Sequence, residues 1–103
     1  MTQLAKSNPK ELARILTSHN GDIQILTSGA EILGEEVDDE AIVLPIIRQL
    51  VKHVNAIVRE GVCIGLSSFY LEKRPPQDIL DKLRTMSIND PSPTLKHYAR
   101  TML

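Results

Sequence analysis

The sequence predicts an all-α fold of three stacked antiparallel helical hairpins, and three observations carry that prediction. Apolar residues recur at helical spacing through six successive segments. Alternation of period two is nowhere sustained, and no Asn-Gly or Asp-Gly pair lies between alternating runs, so no strand competes. Capping and helix-breaking residues return at near-regular intervals along the chain. With 103 residues and 42% hydrophobic content, the chain suffices for one compact core and falls short of two ordinary domains. Tryptophan is absent and only two Tyr and one Phe are present, so Leu, Ile, Val and Ala must fill that core.

Asn8-Pro9-Lys10-Glu11 opens the first helix: Asn8 is a cap, Pro9 fits the first helical position, and Glu11 is placed to reach back to the cap. Leu12, Ile15 and Leu16 form its apolar face, and Asn20-Gly21 breaks the run. The second helix starts near Asp22, buries Ile25, Leu26, Gly29, Ile32 and Leu33, and ends where Gly34 meets an acidic run. That run, Glu35 to Glu40, admits a reading as an acidic binding patch, but Asp38 and Asp39 stand where carboxylates cap a helix start, which is the favoured reading. The third helix carries Val43, Leu44, Ile47, Leu50 and Val51, and the apolar period continues through Pro45, which predicts a bent helix.

After His53-Val54-Asn55 a fourth helix buries Val58, Val62, Leu66 and Phe69, with Arg74-Pro75-Pro76 as its stop. Helix five restarts at Pro76-Gln77-Asp78 and runs through Ile79, Leu80, Leu83 and Met86. Ser92 caps the sixth helix, Pro93 opens it, and Leu95, Tyr98, Ala99, Met102 and Leu103 form its apolar side.

The second helix of each hairpin repeats. Asn20 to Leu33, His53 to Leu66 and Asp90 to Leu103 align without gaps, their starts separated by 33 and 37 residues (20 to 53, 53 to 90). The units are residues 8–36, 38–71 and 75–103. Small residues at the middle slots, Gly29 and Ala99 beside Val62, and Gly65 in the next slot, predict close helix packing.

Asp90-Pro91-Ser92-Pro93-Thr94-Leu95-Lys96, Val58-Arg59-Glu60-Gly61-Val62 and Leu44-Pro45-Ile46-Ile47 resemble the HEAT-repeat family. The resemblance covers nearly the whole chain and is strongest from Leu44 to Leu103. It departs from the family pattern where Asn20 and His53 replace the acidic turn residue and Leu26 replaces the basic one, so any ladder of charges between repeats is partial. The resemblance implies a short right-handed α-α superhelix whose second helices line a binding surface, and a scaffold, adaptor or receptor in place of an enzyme.

Lys and Arg total 12 against 13 Asp and Glu, so the formal charge of −1 creates no global field toward nucleic acid or anionic membrane. The longest apolar runs fall far short of the roughly 20 residues that span a bilayer, and residues 1–10 lack the apolar core of a secretory signal. Cys63 is the only cysteine and forms no internal disulfide, so a cytoplasmic protein is expected. His19, His53 and His97 are too far apart for a local metal motif and read as turn or surface residues. Cys63 lies beside core positions with no base to activate it, and Ser67-Ser68 lacks a glycine elbow. Gly29, Gly34, Gly61 and Gly65 read as close-packing sites inside helices.

No cofactor or metal is called for, and the expected function is a non-catalytic protein-protein interaction module, an adaptor or a small inhibitory or immunity-type protein. Its surface is expected from Thr27 and Glu31 in unit one, Arg59, Glu60 and Cys63 in unit two, and Lys96, His97 and Arg100 in unit three. Arg59 has a second reading, as the ionic partner of Asp90. A nucleic-acid-binding helical-repeat protein is the first alternative, and a bilin lyase of the HEAT-like type the second. An apolar end near Met102-Leu103 suggests a homodimer through the C-terminal unit, or a chain cut from a longer array.

Overall fold

The computed structural model describes residues 1–18 and 22–103. Among them it holds seven helices and no strand: α1 (Thr2–Ser7), α2 (Pro9–Ser18), α3 (Ile23–Glu36), α4 (Glu40–Leu50), α5 (Ala56–Phe69), α6 (Gln77–Asn89) and α7 (Pro93–Thr101). The six expected helices correspond to α2 through α7. His19 and the Asn20-Gly21 break lie outside the described residues.

The helix starts follow from the expected caps. Asn8 Oδ1 accepts the Glu11 N–H at 3.2 Å, Asp22 that of Ile25 at 3.1 Å, and Asp39 that of Ala41 at 3.0 Å. Asn55 accepts from the Ile57 N–H at 2.8 Å and Ser92 Oγ from Leu95 at 3.2 Å. Asp22, Asn55 and Ser92, the caps of α3, α5 and α7, stand 33 and 37 residues apart (22 to 55, 55 to 92). α4 runs through Pro45, whose ring lies on the exposed side.

One helix was not expected, and three expectations need correction. Thr2–Ser7, read from sequence only as lacking a signal core, is helical and packs on α2 and α3, with Ala5 buried and Lys6 at 3.8 Å from Glu36. Glu11 does not complete a capping box, because its carboxylate is taken by Arg14 one turn on (2.9 Å). α3 continues through Gly34 to Glu36, since Gly34 is needed inside the helix for packing. α5 ends at Phe69, before the Arg74-Pro75-Pro76 stop.

The broadest helix contact is between α3 and α5, and glycines make it possible. A Cβ on Gly65 would strike the Ala30 carbonyl, one on Gly34 the Gly65 carbonyl, and one on Gly61 would lie 2.6 Å from the Thr27 carbonyl. The matching order of these positions along both helices shows that α3 and α5 run parallel, backbone against backbone. α5 in turn contacts α7, while α2 contacts α4. The core between them is aliphatic: Leu12, Leu16, Leu26, Leu33, Ile47, Val58, Leu66, Leu83 and Leu95 are all buried. Cα extents of 37 × 30 × 17 Å describe a slab whose thin dimension fits two helix layers about 8–10 Å apart.

Candidate partner-binding surface

The outer side of α3, α5 and α7 is built from the positions that their buried stripes leave over. On α5, Val58, Val62, Leu66 and Phe69 face inward, so Ile57, Glu60 and Ile64 share the opposite side at i, i+3 and i+7. Ile57 is 55% exposed, and Glu60 and Ile64 are half-buried. Sequence reading missed the two isoleucines, although their phase against the buried stripe would have found them.

Five of the eight expected surface residues face outward or stand at the margin. Glu31, Glu60 and Lys96 are half-buried and have no ionic partner among the described residues. His97 is exposed, its ring 6.3 Å from that of Tyr98. Arg100 is exposed and donates from Nη2 to the Ser87 carbonyl at 3.3 Å. Carboxylates thus stand on α3 and α5, and cationic side chains on α7.

The other three are engaged inside the fold. Thr27 lies against Gly61, with its Cα and Cγ2 at the contact and its Oγ1 buried without a hydrogen bond. Cys63 is 1% exposed, and burial, reinforced by the carboxylates of Asp90 and Glu60, pushes its thiol up to about 12. It is therefore neither a contact residue nor a thiolate at neutral pH.

Arg59 is held by Asp90, the second of its two sequence readings. Its Nε and Nη2 donate to the two carboxylate oxygens of Asp90, both at 3.0 Å, and Nη1 donates to the carbonyls of His53 (2.8 Å) and Val54 (2.9 Å). The two side chains are only 11% and 6% exposed. Asp90 also accepts the Ser92 N–H at 2.9 Å, so one carboxylate joins α5 to the turn before α7. Leu26 and His53 stand 33 and 37 residues before Arg59 and Asp90, and α3 and α5 meet at glycines instead of through an ion pair.

Among the described residues no cluster of three or more His, Cys, Asp or Glu is placed to hold a metal ion. Among them, too, no helix is long and apolar enough to cross a membrane. Comparison with protein-family models, with curated proteins and with solved structures finds no match.

Proposed function

We propose that this chain is a non-catalytic protein-interaction module that binds its partner on the outer side of α3, α5 and α7. Its helices are read as three hairpins, 8–36, 38–71 and 75–103, stacked in the right-handed manner of HEAT repeats, with α1 covering the first unit. The observation that carries the reading is the set of charges on α3, α5 and α7 with no ionic partner among the described residues, Glu31, Glu60 and Lys96, together with the exposed Ile57 on α5. Exposed apolar area on a surface that carries charges of both signs suits a protein partner. A nucleic-acid partner would require those charges to be cationic throughout. The buried, protonated state of Cys63 supports a role without nucleophilic chemistry.

A second copy on the C-terminal unit is the lesser proposal. Leu103 is 55% exposed and Ile88 67% exposed, but the positions that correspond to buried Arg59 and Cys63 are Lys96 and Arg100, whose charges favour water over an apolar contact.

Charge reversal tests the proposed surface. Glu31→Lys, Glu60→Lys and Lys96→Glu together are expected to abolish recovery of the partner captured by the parent chain, with helical circular dichroism unchanged. Equal recovery of that same partner by parent and variant would exclude this face. Arg59 is left intact, because its replacement would disturb the fold.

A further inference from the structure

We propose, resting on the reading of the outer side as the binding face, that the partner it takes is a second copy of this chain, paired about a two-fold axis that runs along α5. The order of the helices makes this possible. Gly61 and Gly65 lie against α3, while Arg59 reaches Asp90 before α7. Positions two apart point about 200° apart around a helix, so α3 and α7 lie on opposite flanks of α5. Arg59 near the start of α5 meets the turn before α7, and Ser67 near its end borders one cleft with Thr101 at the end of α7. α7 therefore runs parallel to α5, as α3 does.

The middle helix carries an apolar stripe. Ile57, Ile64 and Leu71 recur at intervals of seven, the spacing that keeps residues on one side of a helix. Ile57 is 55% and Leu71 81% exposed, and Ile64 is half-buried. Leu71, just past the end of α5, borders one cleft with Gly34 and Glu35 and another with Thr101, which places it between α3 and α7.

Charge on the two flanks selects the occupant. Glu31 and Glu35 stand on α3 and Lys96 and Arg100 on α7, and none of the four has an ionic partner among the described residues. Glu31 is level with Gly65, whose added Cβ would lie 3.5 Å from the Glu31 Cα. Arg100 precedes Thr101, which borders the cleft with Ser67, so both charges stand beside the same stretch of α5. A two-fold axis along α5 keeps that level and exchanges the flanks: Glu31 of one protomer meets Arg100 of its partner, and the reverse, while the apolar stripes meet on the axis. A partner of uniform charge would set one flank against its own sign. The broad side of the slab, 37 by 30 Å between Cα extremes, has room for the roughly 800 Å² per partner that a specific interface buries.

The test is sedimentation velocity of the whole chain over a range of concentrations. A monomer–dimer equilibrium that weakens with added salt is expected. Glu31→Arg and Arg100→Glu should each weaken dimerisation roughly tenfold or more, with helical circular dichroism unchanged. An equimolar mixture of these two variants should regain the dimer, because each reversed charge then meets its opposite in both contacts. Leu71→Asp, at an exposed site, should weaken the parent dimer as well. A parent that stays monomeric at every concentration, a dimer that none of these substitutions weakens, or a mixture no more dimeric than either variant alone overturns the proposal. Self-pairing then fails alone where the triple charge reversal of Glu31, Glu60 and Lys96 still loses a captured protein, and together with the binding face where that variant retains it.

Discussion

Arg59 and Asp90 form the most enclosed ion pair among the described residues, and its strength depends on both members being present. Removal of one partner from a buried ion pair costs about 3–5 kcal/mol, because the other charge is left without compensation. Arg59→Met and Asp90→Asn should each lower the urea midpoint strongly. The double variant should lose less than the sum by roughly 1–3 kcal/mol, the coupling expected for groups in direct contact; additive losses would show that the pair contributes nothing as a pair. Both residues were legible in the sequence as equivalent repeat positions. Their union was one of two readings, since the distance from α5 to the turn before α7 is a property of packing.

Tyr70 offers a pH test. Its hydroxyl donates to Glu40 Oε2 at 2.7 Å, and burial first, then that carboxylate, push the phenol above its ordinary value of 10. The raised folded value means that the contact's stability is full below pH 10. It is lost as pH rises from there toward the folded value, because the unfolded chain releases the proton first. Ultraviolet titration should therefore show one late phenol that disappears in Tyr70→Phe, and stability at pH 8 should exceed that at pH 11 by more in the parent than in the variant. Identical titration curves for the two proteins would contradict the assignment.

Helix pairing depends on a different property, the absence of side chains. Gly65 lies where a Cβ would meet the backbone carbonyl of Ala30, while the Cβ of an alanine at Gly29 would meet the flexible end of Leu16. Gly65→Ala should therefore destabilise by about 1–3 kcal/mol, despite the roughly 1 kcal/mol gain in helix propensity. Gly29→Ala should cost less, because Leu16 can change rotamer. Thermal melts of the two variants decide, and the reverse order would contradict the close approach of α3 and α5. Helix starts were legible wherever a short polar side chain met an apolar run, as at Asn8, Asp22, Asp39, Asn55 and Ser92. α1 was not, because Thr2–Ser7 has a single buried residue and takes its order from contact with α2 and α3.

For the molecule as a whole, the all-helical fold was legible from periodicity, and the outward side of α3, α5 and α7 only in part. Glu31, Glu60, Lys96, His97 and Arg100 stay clear of the core, whereas Thr27 and Cys63 turn inward. Small residues on α3 and α5 draw those helices together, so Thr27, which helical phase alone would expose, is covered by the backbone at Gly61. Hydrogen exchange on the chain with its captured partner bound would locate the interface. Protection confined to α3, α5 and α7 around Glu31, Glu60 and Lys96 is predicted, and protection centred on α4 and α6 with those three helices unchanged would contradict the account.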